Sequence, residues 1–354
     1  MTYRVIQWAT GGVGRAAIEA IVAHPELELA GVWVHSEAKD GLDAGELIGG
    51  EPLGVLATRD VDALLALGAD CVLYSPLMPD PDELRRILGS GLDVVTPLGW
   101  FFPPTPEREE LEVLCQSAGS TLHGTGIHPG GITERFPLMV SALSGSITHV
   151  RSEEFSDIRT YGAPDVISDW MLFGKTPEEG RASIMPAVLG GGFGQSIWMI
   201  AHELGLELDP ELRTTHEMAV ATAPIDSPIG PIQPGTVAAQ RFRWEGLVDG
   251  VPVITAAVNW FMGDEDLDPA WTFGPEGERF EVEVTGDPGT FVTFHGLHPE
   301  SIAAGLARNP GIVATALHAV NAIPYVCAAA PGVATYLDLP LVAGRAAPHL
   351  LPKD

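Results

Sequence analysis

The chain is poor in positive charge. Its 354 residues include 19 lysines and arginines against 47 aspartates and glutamates, a formal net charge of −28. Such a surface repels nucleic acids and anionic membranes, so neither is expected as a partner. Cysteine is scarce too, with Cys71, Cys115 and Cys327 far apart in the sequence. Three separated thiols give neither a disulfide framework nor zinc-ligand spacing, and they fit a reducing cytoplasm. His, Cys, Asp and Glu do not cluster at ligand spacing, which speaks against a catalytic metal. No signal peptide is expected, because the short apolar run at residues 3–9 leads straight into glycines. The longest weakly charged stretch, 312–334, contains His318, Asn321, Pro324 and Pro331. It reads as a buried helix and loop rather than a membrane span.

What is present is enough apolar material for sizeable cores, 45% of residues, in a chain whose length predicts two domains. The first is organised around YRVIQWATGGVGRAA, Tyr3 to Ala17. Residues 4–9 read as a strand buried in a parallel sheet, and an apolar helical pattern begins at Ala16. Between them, Gly12, Gly14 and Ala17 fit the G-x-G-x-x-A spacing of a dinucleotide-binding turn. In that motif glycine permits the tight turn and the close approach of a pyrophosphate, and the helix N-terminus supplies free amides. Thr10, Gly11, Gly12, Val13 and Gly14 are the expected phosphate contacts; the alternative is a glycine-rich turn in an unrelated α/β protein.

A second strand, 27–35, ends at His35-Ser36, with Lys39 shortly after and Glu37 between. NAD enzymes place an acidic residue at this end to hold the ribose 2′-hydroxyl, and NADP enzymes offer donors instead. The balance tips toward NADP(H), with NAD(H) possible; His35 reads equally as a plain surface residue. Strands at 69–75 and 92–98 alternate with helices at 60–68, 80–89 and 107–117, which implies a doubly wound parallel sheet. Ligands bind beyond the carboxyl ends of such strands, so Ser75, Pro76, Thr96 and Pro97 join the expected cofactor contacts. After residue 145 the pattern changes to strands at 148–157, 237–244, 251–261, 280–285 and 291–295, a mixed or antiparallel sheet. Helices are expected at 176–185 and 195–204, and those at 299–307 and 311–322 are expected to return to the first domain. The fold class is α/β: a Rossmann domain over 1–145, completed by about 300–345, and an α+β domain over 146–299.

The second unusual stretch is GTGIHPGGITE, Gly124 to Glu134, where glycines and a proline surround His128. Histidine is the side chain best suited to passing protons near neutral pH; the plain alternative is a turn histidine bonding the backbone. Asp157 and Tyr161, in EEFSDIRTYGAPD, are second candidates, with a polar loop and a tyrosine anchor as their plain reading. Trp100, Phe101 and Phe102 read either as an aromatic wall for a bulky substrate or as ordinary core.

Together WATGGVGRAAI, HSEAKDGLDAGEL, DVVTPLGWFFP, GTGIHPGGITE and NAIPYVCAAAPGVATYLDLP resemble the dihydrodipicolinate-reductase-like superfamily. They are closest to its branch of 2,4-diaminopentanoate dehydrogenase and the native amine dehydrogenases. The resemblance implies an N-terminal domain binding NAD(P)H and a C-terminal domain supplying the substrate pocket and homodimer contacts. It implies hydride transfer to or from a C=O or C=N carbon in the interdomain cleft, on a small-molecule carbonyl, imine or amine. The chain departs from its relatives at His128, where they carry other small or polar residues, and at Trp100. Where the amine dehydrogenases carry a catalytic glutamate directly after the glycine of TPLGWFFP, it has Trp100, and an indole takes no proton at neutral pH. The acid/base role then passes to His128. Three readings stay open: a carbonyl or imine reductase, an amine dehydrogenase with another acid/base, and a nucleotide-binding sensor without chemistry.

Overall fold

The computed structural model describes residues 2–274 and 277–350. Two compact units divide the chain, one built from the segment up to Ile127 and from Ile312 onward, the other from His128–Gly311. The first contains β1 (Tyr3–Trp8), α1 (Gly12–Ala23), β2 (Leu27–Trp33), α2 (Ala44–Leu47), β3 (Ala57–Thr58), α3 (Val61–Leu65) and β4 (Cys71–Tyr74). It continues with α4 (Pro81–Gly89), β5 (Asp93–Thr96), α5 (Thr105–Ala118) and β6 (Thr121–Gly124). The second holds α6 (Phe136–Ser141), β7 (Gly145–Asp157), α7 (Pro177–Arg181), α8 (Met185–Leu204), β8 (Arg213–Ala221), β9 (Val237–Val248) and β10 (Val251–Phe261). It ends with β11 (Leu267–Asp268), β12 (Arg279–Asp287), β13 (Thr290–Phe294) and α9 (Ile302–Ala307), after which α10 (Pro310–Cys327) and β14 (Gly332–Val333) follow.

The first sheet runs β14-β6-β5-β4-β1-β2-β3, parallel throughout. Strand β1 lies between β4 and β2, where the order of progression reverses. The strand forms because Val5, Ile6, Gln7 and Trp8 are all wholly buried. Val5 packs with Ile18, Ile21 and Val320 on one face, while Ile6 and Trp8 pack with Leu84 and Ile87 on the other. Each such side chain removed from water contributes roughly 1.5–3 kcal/mol. Helix α1 follows because Gly14, Ala17, Ile18 and Ile21 form one apolar stripe.

The second sheet runs β11-β8-β9-β10-β7-β12-β13. It is mixed, since β10 and β7 pair in parallel and its other pairs are antiparallel. Alternation along β7 turns Ser152, Glu154 and Ser156 to one face and Arg151, Glu153 and Asp157 to the other. The second core gathers Phe193, Ile197, Phe242, Trp244 and Trp260.

Several expectations shift. The seam falls at 127/128 rather than 145/146, because the segment after Ile127 bonds to β7 and β10. Helix α9 stays in the second unit, where a Cβ on Gly305 would press on Thr160 at 2.7 Å. The helix expected at 195–204 begins earlier, and α8 runs unbroken over 20 residues through the glycines at 190–192 and 194. Close approach explains at least Gly190, whose Cβ would stand 2.8 Å from the Trp244 indole nitrogen. Strands β3, β6, β8, β11 and β14 lie outside the expected strands. Cys71 and Cys327, distant in sequence, meet as free thiols in the first core, and burial pushes the Cys71 thiol up.

Candidate active site

In the first unit the glycine turn is bare backbone. Gly11 is exposed, and nothing lies within 4 Å of where its Cβ would stand. No side chain caps α1, and no acidic residue occupies its first turn, so its leading amides and the helix dipole suit a phosphate group. Gly14 is needed for a different reason: a Cβ there would drive into the Ala9 carbonyl. Ala9 itself sits at φ 73°. Gln7 supports this bend from below, donating through Nε2 to the Trp8 and Ala9 carbonyls at 3.0 and 2.9 Å and to Ser75 Oγ at 2.9 Å. Sequence reasoning missed Gln7, because a polar side chain inside a parallel-sheet strand has no signature of its own.

Lys39 reaches the turn as well, with Nζ 3.1 Å from Thr10 Oγ1 and 3.4 Å from the Thr10 carbonyl. His35 and Ser36 are exposed at the end of β2, Ser75 and Pro76 are half-buried after β4, and Thr96 is buried with Pro97 half-buried beside it. The fold thus gathers Thr10, Gly11, Ser75 and Lys39 at the carboxyl end of β1 and its neighbours. A cavity of about 520 Å³, lined in part by Tyr3, Glu26, Tyr325 and Arg345, opens at the amino end of β1 instead.

Trp100 is 6% exposed, and its indole donates to Glu107 Oε1 at 2.9 Å. Its backbone and that of Gly99 crowd Gly124, which a Cβ would fill. Beyond β6, Thr125 Oγ1 meets the Tyr336 hydroxyl and lies 3.2 Å from His318 Nδ1, which donates to the Gly126 carbonyl at 2.6 Å. This hydroxyl–imidazole group joins three distant segments and was not legible in the sequence.

In the second unit His128 is held at both nitrogens. Nε2 donates to the Ala257 carbonyl at 3.1 Å, and Nδ1 accepts from Thr133 Oγ1 at 2.8 Å. The ring stands edge-on to Phe193 and Phe280, 4.7 and 5.7 Å between centroids. Burial pushes its pKa down to about 4, so it is neutral at pH 7. Glu134, six residues on, is wholly buried; its Oε2 accepts the Gly130 amide at 3.0 Å, and burial pushes its pKa up to about 8.

Asp157 is held by Arg159, whose Nε lies 3.0 Å from both carboxylate oxygens and whose Nη2 lies 2.5 Å from Oδ2. Tyr161 is raised by burial first and by the charge of Glu154 second. Glu154 accepts from Ser156 at 2.6 Å and from the Trp260 indole at 3.2 Å, and Ser156 in turn lies 2.9 Å from His298 Nε2. The serine proton therefore points to the carboxylate and the imidazole donates to the serine, the reverse of nucleophile activation. The carboxylate whose charge acts on Tyr161 is Glu154, not Asp157. Among the described residues no group of three His, Cys, Asp or Glu is placed to hold a metal.

The model of the 2,4-diaminopentanoate dehydrogenase C-terminal domain matches residues 133–265. The amine dehydrogenase of Streptomyces virginiae is 33% identical, with 95% of this chain and 96% of that one aligned. The chain belongs to this family. It is an NAD(P)-dependent oxidoreductase of the amine dehydrogenase and 2,4-diaminopentanoate dehydrogenase branch of the dihydrodipicolinate-reductase-like superfamily. The 2,4-diaminopentanoate dehydrogenase of Acetoanaerobium sticklandii is 24% identical over 96% of this chain and 93% of its own length. The solved amine dehydrogenase of Mycobacterium smegmatis shares the fold of the branch at a TM-score of 0.78, with 24% identity and 98% of each chain covered.

Proposed function

We propose that this family member reduces a small carbonyl compound or a preformed imine with NADPH, in the cytoplasm and as a homodimer, with His128 handling the proton. The observation that carries the reading is the bare turn: open space at Gly11, uncapped amides behind it, and Lys39 beside Thr10. The backbone of Thr10, Gly11, Gly12, Val13 and Gly14 would hold the pyrophosphate. Lys39, Ser36 and His35 would border the adenosine ribose, where an ammonium favours a 2′-phosphate. Ser75, Pro76, Thr96 and Pro97 would border the nicotinamide half. Bound there, the dinucleotide supplies the hydride.

The chain's own residues must then orient the substrate and give its oxygen or nitrogen a proton. Neutral His128 offers Nε2–H for this once it leaves the Ala257 carbonyl. Tyr161 stands second, and Asp157 third because Arg159 already holds it. Trp100 occupies the place where the resemblance puts a glutamate, and its N–H is engaged by Glu107, so activation of free ammonia is not expected.

NADPH oxidation measured with ketones and cyclic imines, each with and without ammonium, tests the reading. Oxidation that ammonium does not accelerate, and that His128→Ala slows by at least roughly 100-fold, is the expected result. Ammonium-dependent oxidation would establish a second reading, true amine dehydrogenation, which the 33% identity to the Streptomyces virginiae enzyme favours. Cofactor binding without turnover across the panel would leave a nucleotide-binding sensor.

A further inference from the structure

Glu134 is a wholly buried acid with no counter-charge beside it among the described residues. It is 0% exposed, its Oε1 is buried without a hydrogen-bond partner among the described residues, and its Oε2 accepts the Gly130 amide at 3.0 Å. A carboxylate so placed would bury a full charge on two acceptor oxygens, one of them bonded to nothing. A neutral carboxylic acid avoids that cost. The amide it holds belongs to a demanding residue: Gly130 stands at φ 128°, ψ −122°, a conformation that side chains of L-residues rarely adopt.

We propose that Glu134, as the uncharged acid, is the positioning residue that latches the His128 loop, and that ionising it releases the loop. The inference rests on the reading of His128 as the group that handles the proton. The latch acts at two points of the same turn. Oε2 fixes Gly130, two residues after the imidazole, and Thr133, the residue before Glu134, presents its hydroxyl to His128 Nδ1 at 2.8 Å. Glu134 thereby fixes which imidazole nitrogen carries the proton without touching the ring, as outer hydrogen bonds do for catalytic histidines.

The groups around it leave its titration largely its own. The loop contributes the Gly130 amide and the neutral His128 ring, with Arg135 next in sequence. Helix α8 contributes Ser196, and the facing side of β7 contributes Ser152, which donates to the Thr133 carbonyl at 3.2 Å, and farther along Glu154. None adds a charge effect at Glu134; burial raises its carboxyl, and the serine and the amide moderate the rise.

Histidine nitrogen NMR on the protein without cofactor, with Glu134→Gln and Glu134→Ala, tests the latch directly. Wild type is expected to show His128 with Nε2 protonated below about pH 7 and a second His128 environment above about pH 8. Glu134→Gln keeps the first environment throughout, and Glu134→Ala shows the second at every pH. In turnover, wild type loses kcat above about pH 8 and Glu134→Gln does not, while Glu134→Ala loses kcat at least roughly tenfold with little change in KM for NADPH. A wild-type His128 signal that never moves, or a Glu134→Gln as damaged as Glu134→Ala, overturns the latch. If Glu134→Ala fails to fold, the comparison of wild type with Glu134→Gln decides. If the signals move as expected while His128→Ala keeps its turnover, the latch stands and the proton assignment falls.

Discussion

The ammonium of Lys39 stands 3.1 Å from the hydroxyl of Thr10, the residue that leads into the glycine turn. Twenty-nine positions apart in sequence, the two are joined because β1 and β2 end side by side. A fixed positive charge at this place favours a ligand with an extra phosphate over one with a hydroxyl. Lys39→Ala is expected to weaken NADPH binding by about tenfold, or about 1.4 kcal/mol, and NADH binding much less. Equal losses for both cofactors, in a fluorescence titration, would remove the argument for NADPH.

Two opposed groups of titrations shape stability. His128 and His298 are pushed by burial to about 4, below the ordinary histidine value. Each contributes stability that is present above pH 6.5 and lost as pH falls toward 4, because the unfolded chain takes up the proton first. Glu134 and Glu278 are pushed up, to about 8 and about 7. Their contribution is full below the ordinary carboxyl value of 4.5 and lost as pH rises through 7 and 8. The melting temperature is therefore expected to fall from pH 6.5 to 8.5, and Glu134→Gln to fall less over that range. A Glu134→Gln variant with the same alkaline slope as wild type would count against a buried neutral acid.

Trp100, at the place where the resemblance puts a carboxylate, is a core residue. It sits at φ 56°, a strained setting for a bulky side chain, and packs in the cluster of Trp8, Leu84 and Leu111. Placing a carboxylate there by Trp100→Glu would leave a cavity and set a second acid against Glu107. A loss of roughly 3–5 kcal/mol in denaturant unfolding is expected, against about 1 kcal/mol for the lost hydrogen bond in Trp100→Phe. Full stability of Trp100→Glu would show that the site is built to accept the carboxylate.

The first unit was legible because its signals are local. A buried strand, a glycine turn and a helical stripe lie within 21 consecutive residues, Tyr3 to Ala23. The second sheet was legible as strands but not as a topology, since the parallel pairing of β7 with β10 joins segments about a hundred residues apart. His128 stood out because glycines surround it. Glu134, seven letters from the start of the same loop at Ile127, did not: its importance lies in burial and in an oxygen with no partner, which sequence does not display. The link between Gln7 and Ser75 depends on neighbouring strands, and the cluster of Thr125, His318 and Tyr336 on α10 and the segment after β14 meeting the end of β6. No spacing rule announces them.

Nicotinamide fluorescence on titration with NADPH, for wild type, Gly11→Ala and Gly14→Ala, each also melted without cofactor, tests the central claim most directly. Gly11 has open space around its missing side chain, whereas a Cβ on Gly14 meets the Ala9 carbonyl. Wild type is expected to bind with micromolar affinity. Gly11→Ala should keep its fold, at a cost of about 1 kcal/mol, yet bind at least roughly tenfold more weakly because its methyl stands where the phosphate belongs. Gly14→Ala should lose both stability and binding. Undiminished binding by Gly11→Ala, or no binding of NADPH or NADH by wild type, would contradict the account.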